Sequence, residues 1–175
     1  MSNIVSTTAP VLLSNALEYY KDVYRFAYSL ASNEADASDL TQQTYMKYTT
    51  HGHTIEEPSK TKSWLFTTLH REFLRQRRRN VRFPHTTLDD ARADEMPSKE
   101  ATDLSENTGD VMQALGSMDE TLRAPLTLFY LKNMKYREIA EVLEVPIGTV
   151  MSRLARAKQF LRNALGLGIN SIANT

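Results

Sequence analysis

Apolar side chains recur every three or four positions through most of this chain, the spacing of amphipathic helices, and nowhere do they alternate as in a strand. Between 12 and about 32 they fall at Leu13, Ala16, Leu17, Tyr20, Val23, Tyr24, Ala27, Leu30 and Ala31, about five helical turns. Asn33 then interrupts the pattern and can cap a second helix over about 34–49, with two acids in its first turn. That helix buries Ala37, Leu40, Thr44, Tyr45 and Tyr48, and leaves Asp39, Gln42, Gln43, Met46 and Lys47 on its free face. After a loop beginning at His51-Gly52-His53, a third helix over about 62–79 carries Trp64, Leu65, Phe66, Leu69, Phe73 and Leu74 on one side.

Periodicity lapses over 83–107 and returns with Val111, Met112 and Leu115, where Gly116 is the expected stop. Asp119 can cap the next helix, which holds Leu122, Leu126, Leu128, Phe129 and Leu131. Pro125 inside it predicts a kink or a later start. A turn over 132–135 follows, with Asn133 suited to a left-handed backbone. In 136–143 the stripe is Ile139, Ala140, Val142 and Leu143. Glu144-Val145-Pro146 breaks it, and Val150, Leu154, Ala157, Leu161 and Leu165 resume it. Ser152, Arg153, Arg156 and Lys158 lie off that second stripe. A short helix, a tight turn and a basic helix make the sequence form of a helix-turn-helix, although an ordinary amphipathic pair has the same periodicity.

Charge separates the two. The chain has 175 residues, with 21 Lys and Arg against 21 Asp and Glu. The balance hides three blocks. Residues 60–82 hold eight cations and one acid, 83–118 two cations and eight acids, and 121–165 eight cations and three acids. One or two cations suffice for a helix dipole, but 75–79 holds four arginines, with Lys60, Lys62, Arg71 and Arg82 nearby. That density suits a surface that follows phosphates. The expected fold class is therefore all-α: two small helical domains joined by a flexible acidic linker, the second containing the helix-turn-helix. The boundaries are a tail over 1–11, a domain over 12–82, the linker over 83–107, a domain over 108–165 and a tail over 166–175. A linker of about 24 residues reaches at most ~80 Å.

Other chemistries find little support. The chain has no cysteine, which excludes disulfides and thiolate metal sites. His51 and His53 lack a carboxylate at ligand spacing, so no metal or other cofactor is expected. No Ser/His/Asp set, phosphate-cradling glycine loop or acid pair stands at a useful spacing, so no enzyme is expected. There is no leader-like N-terminus and no apolar run of the roughly 20 residues that span a bilayer. A soluble, cytoplasmic protein is expected.

Two stretches also carry a resemblance. Asp39-Leu40-Thr41-Gln42, and Trp64-Leu65-Phe66 running to Arg77-Arg78-Arg79, form one. Tyr136-Arg137-Glu138-Ile139-Ala140 with Leu143, then Pro146-Ile147-Gly148-Thr149-Val150-Met151-Ser152-Arg153-Leu154-Ala155-Arg156-Ala157, form the other. The chain resembles bacterial RNA polymerase sigma factors of the extracytoplasmic-function type, which consist of region 2, a linker and region 4. The resemblance implies that Asp39, Gln42, Gln43 and Met46 dock core RNA polymerase. It implies that Lys60, Lys62, Arg71, Arg75, Arg77, Arg78 and Arg79 hold the partly single-stranded −10 element, while the loop before Trp64 captures an unstacked base. Region 4 would read the duplex −35 element through Ile147, Thr149, Met151, Ser152, Arg153 and Arg156. An anti-sigma factor is a further partner the family makes plausible, and no membrane insertion is implied.

Four positions depart from the family's common wording. Gln43 stands for a frequent glutamate, and Arg71 for asparagine. Glu144 stands for glycine and Lys135 for a serine or threonine cap, the latter weakening a helix start by roughly 0.5–2 kcal/mol. Met151 offers only an apolar contact, such as to a thymine methyl. The competing reading is a stand-alone helix-turn-helix regulator bound to an operator as a dimer, which leaves the first basic helix unexplained.

Overall fold

The computed structural model describes residues 14–82 and 107–166, and within them every regular element is helical. Before residue 83, a helical turn over 14–17 is followed by α1 (Tyr20–Ala31), α2 (Glu34–His51) and α3 (Thr61–Arg82). Four α-helices follow residue 106: α4 (Asn107–Ser117), α5 (Glu120–Lys132), α6 (Tyr136–Leu143) and α7 (Ile147–Ala164). Two short 3-10 turns, Gly52–Thr54 and Pro58–Lys60, lie between α2 and α3. The expected tails, Leu13 and most of the expected linker fall outside the described residues.

The apolar stripes fold largely as spaced, but Leu17 and Tyr20 of the first are exposed, and Phe26, which is not part of it, is buried. In α1, Val23, Phe26, Ala27 and Leu30 are buried. In α3 the buried positions are Thr61, Leu65, Phe66, Leu69, His70 and Glu72. Phe26 meets Phe66 with ring centroids 5.5 Å apart, and Tyr48 meets Trp64 edge-on at 5.5 Å. The hydroxyls of Thr41 and Thr44 are buried but donate to the carbonyls of Ala37 and Leu40, so neither is left unsatisfied. Gly52 sits so near the Tyr48 ring that a Cβ there would lie 3.0 Å from it.

The long first helix expected over 12–32 is broken at 18–19 and restarts at Tyr20. Tyr45 reaches this break from a distance. Its hydroxyl donates to the Ala16 carbonyl at 2.8 Å, and Tyr19 N–H takes the same oxygen in a tighter turn. Asn33 caps α2 as expected, accepting from Asp36 N–H at 2.8 Å. Asp119 caps α5 in the same way through Thr121 N–H, and α5 starts at Glu120 and runs through Pro125 without a later start. Gly116 does not end α4, which continues to Ser117. The terminal carbonyls are taken instead by the buried Arg123 guanidinium, 3.2 Å from both Leu115 O and Gly116 O.

The connection between α6 and α7 is tight. Lys135 heads α6, and its N–H is held by the Glu138 carboxylate at 2.7 Å, but its ammonium has no acceptor to offer in return. Glu144 ends α6 with φ 55° and ψ 44°, a left-handed backbone that costs a non-glycine residue roughly 1–2 kcal/mol. Pro146 then stands immediately before α7, whose Val150, Leu154 and Ala157 are buried.

α1, α2 and α3 pack on one another, and α7 packs on α4, α5 and α6. The two sets also touch: α1 lies against α5, and α3 against α6, so the buried apolar residues of both belong to one continuous cluster. His70 is enclosed at this junction, and among the described residues its Nδ1 has no hydrogen-bond partner. Burial pushes its pKa down to about 4, with Glu144 raising it and Arg153 lowering it as lesser influences.

This gives a pH prediction. Below its ordinary value near 6.5 the unfolded chain takes up a proton that the folded chain refuses. Stability contributed by neutral His70 is complete above about pH 6.5, falls as the pH drops, and levels off below about 4. The loss across that window is up to roughly 3 kcal/mol. Urea unfolding at a series of pH values should show a shallower acid loss in His70→Gln than in the natural chain. Parallel curves for the two would dismiss this assignment.

Candidate nucleic-acid interface

The arginines of α3 separate by angle. A helix turns 100° per residue, so Arg71, Arg75, Arg78 and Arg82 fall on one narrow stripe, opposite Leu65, Phe66 and Leu69. All four are exposed. Arg82 extends this stripe by one turn and was not among the expected site residues, although its i+4 spacing from Arg78 was a readable signal. Past Glu72 no residue of α3 is fully buried, so the arginine-bearing half of the helix projects from the core.

Arg79 lies to one side of the stripe, along a groove between α2 and α3. The groove is bordered by Asp39, Gln43, Met46, Glu72, Arg75 and Arg79. Arg77 lies on the other side and pairs with Glu120 at the head of α5. Arg78 Nε donates to Leu74 O of its own helix at 3.2 Å. Lys60 pairs with Glu57 at 3.0 Å in the turn before α3, and Lys62 is half-buried in its first turn.

Glu72 is the single acid of the 60–82 block. It is buried, bonds the Lys47 ammonium from α2, and stands 3.7 Å from Arg75. It thus ties α2 to α3 and orients one cation of the stripe. On α2, Asp39, Gln42, Gln43 and Met46 are all exposed within about 100° of arc, and Met46 is 62% exposed. An apolar side chain so exposed among amides and a carboxylate is the composition of a contact surface.

On α7 the six expected residues cover the arc outside the buried stripe Val150, Leu154 and Ala157, with Ile147 and Arg153 bordering that stripe. Ser152 and Arg156 stand at its centre, both exposed, beside Gly148, where even a Cβ would meet open space. Ile147 and Met151 form an apolar flank, 48% and 53% exposed. Thr149 and Arg153 form the other flank and are half-buried. The Ser152 hydroxyl donates to Thr149 O at 3.0 Å and keeps its lone pairs for a further donor.

The first basic helix meets the turn that leads into the second. Arg71 forms a two-pronged ion pair with Glu144: Nε to Oε2 at 3.1 Å and Nη2 to Oε1 at 2.5 Å. The hydrogen bonds hold Glu144 below the usual carboxylate range and raise Arg71 further. Sequence reading missed this pair because its members lie 73 residues apart.

His51 Nδ1 lies 3.2 Å from Lys47 O at the end of α2. Among the described residues no three His, Asp or Glu side chains are grouped to hold a metal ion. No described helix is long and apolar enough to cross a membrane.

Comparison with known proteins places this geometry. The family model "Sigma-70 region 2" matches residues 16–83, and "Sigma-70, region 4" matches residues 108–161. The chain is 29% identical to the ECF RNA polymerase sigma factor SigM of Bacillus subtilis (strain 168), over 87% of this chain and 93% of that protein. It is 30% identical to the RNA polymerase sigma factor SigV of the same organism, over 89% of this chain and 92% of that one. Its fold is similar to that of the sigma factor RpoE solved in complex with the anti-sigma factor NepR from Bartonella quintana. The TM-score is 0.68 at 27% identity, over 87% of this chain and 94% of that one. The all-α fold and the two matched regions make this chain a member of the sigma-70 family, within its extracytoplasmic-function group.

Proposed function

We infer that this protein is a transcription initiation factor that joins core RNA polymerase and directs it to promoters, reading −10 with region 2 and −35 with region 4. The observation that carries this is the presence, in the two matched regions, of two exposed basic helix faces, each opposite its own buried stripe. A stand-alone operator-binding protein needs only the second.

The roles follow from the chemistry of each face. The stripe Arg71, Arg75, Arg78 and Arg82 holds −10 phosphates, which track a helix side at this spacing without reading sequence. Arg77, Arg79, Lys60 and Lys62 flank it. Ser152 and Arg156 address base edges or phosphate in the major groove, Ile147 and Met151 suit a thymine methyl, and Thr149 and Arg153 border the contact. Asp39, Gln42, Gln43 and Met46 dock the polymerase. The protein confers specificity, RNA synthesis itself belongs to the polymerase, and the work is done in the cytoplasm where the polymerase is. The likeness to a sigma factor solved with an anti-sigma factor supports a regulator of that kind as a further partner.

Three outcomes are expected. Mixed with core polymerase, the purified protein should co-elute with it and start transcripts at discrete genomic sites; failure of both ends this reading. Arg156→Ala should weaken −35 duplex binding by about 1–3 kcal/mol if the guanidinium reads guanine. If it contacts only phosphate, the loss should be equal across sequences and the salt slope should fall by about one unit. Gln42→Ala combined with Gln43→Ala should weaken association with core polymerase while leaving the circular dichroism of the free chain unchanged. Full retained affinity would show that polymerase docks elsewhere.

A further inference from the structure

Oxidisable sulfur in this chain is confined to methionine, because it has seven methionines and no cysteine. The described methionine side chains fall into two classes. Met118 and Met134 are 2% exposed and belong to the apolar core. Met46 and Met151 are 62% and 53% exposed. A thioether is oxidised where the oxidant can reach it, so the second pair takes an oxygen first.

Both exposed sulfurs stand on contact faces. Met46 lies among Asp39, Gln42 and Gln43 on α2 and borders the groove against α3. Met151 lies one turn past Ile147 on α7, beside Ser152, and with Ile147 makes that helix's apolar flank. Neither belongs to the core cluster, where methionine commonly fills irregular gaps.

We propose that Met46 and Met151 are modification sites for a two-electron oxidant of the peroxide class, and that a sulfoxide at either one disables the face on which it stands. The sulfur attacks one peroxide oxygen and supplies two electrons. The S–O bond forms as the O–O bond breaks, and the second oxygen leaves with both protons as water. Sulfur is oxidised, peroxide is reduced, and nothing else is consumed. The product puts a strong hydrogen-bond acceptor where an apolar end stood. At Met46 that acceptor must be desolvated against the polymerase. At Met151 it meets the major groove, where a thymine methyl offers it no donor. Methionine sulfoxide reductases, one for each epimer, reverse the step with two thiols, giving a disulfide and water. The loss of binding rests on the docking and −35 roles of these faces; the order of oxidation does not.

The full chain is treated with hydrogen peroxide, freed of it by gel filtration, searched for added oxygen by peptide mass spectrometry, and mixed with untreated core polymerase. Oxygen should appear at Met46 and Met151 before Met118 and Met134, with the helical circular dichroism unchanged. Affinity for core polymerase should fall about five- to a hundredfold, the cost of burying an unpaired acceptor. Met46→Leu, treated in the same way, should keep its own core affinity and lose, by a like factor, affinity for a promoter from which its untreated holoenzyme starts. Met151→Leu should lose core affinity alone, and the double variant, which keeps Met1, Met96 and Met112, should lose neither. Each protein is compared with its own untreated sample, so any effect of leucine itself cancels. Reductases A and B with dithiothreitol should restore the natural chain. Even oxidation of all methionines, unchanged binding with oxygen at both sites, or an equal loss in the double variant would each overturn the proposal. Untreated protein that binds no core polymerase overturns the docking role itself, before any oxidant is added.

Discussion

The molecule depends on how α3 divides its circumference. One face, Leu65, Phe66 and Leu69, completes the core with α1 and α2. Beside it, near the middle of the helix, His70 is enclosed where α6 packs. The remaining arc carries the arginine stripe. A helix offers each residue one direction only, so no side chain on α3 can serve two of these ends unless the molecule changes shape. Arg71 is the residue where the division fails. By angle it belongs to the stripe, but it is occupied by Glu144.

Charge acts here as a local device rather than a global one. The balanced total of acids and bases gives no net attraction to a polyanion. What matters is which acid stands by which base. Glu72 is buried and sits between Lys47 and Arg75, so its partners are fixed and it stiffens the α2–α3 groove. Glu144 is about half exposed and spans the junction between the two sets of helices, so its bond is screened by salt and is readily exchanged. The same ion pair chemistry thus gives a permanent brace in one place and a reversible contact in the other.

The sequence made the local rules readable. The stripes of α3 and α7, the caps Asn33 and Asp119 and the left-handed Asn133 all follow from contacts within a few residues, and each stands as expected. The exposed faces of α2 and α7 were readable for the same reason. What escaped depends on residues distant in sequence. Tyr45 bonds at the break before α1, Arg123 at the end of α4, and Glu144 at Arg71. Glu144 is instructive, because as a substitute for glycine in a turn it had only a cost. Its benefit is visible only across the junction.

The ion pairs are the weaker part of what holds the two sets of helices together. Exposed ion pairs contribute about 0.2–1 kcal/mol each, and two would add about 0.4–2 kcal/mol in favour of closure. Taken alone, that strength corresponds to an open form of roughly 3% to a third of the population, and the apolar packing of α1 on α5 and α3 on α6 lowers it further. Arg71 and Glu144 are about half exposed, so their pair adds only a weak, salt-screened bias to the apolar packing of α1 on α5 and α3 on α6.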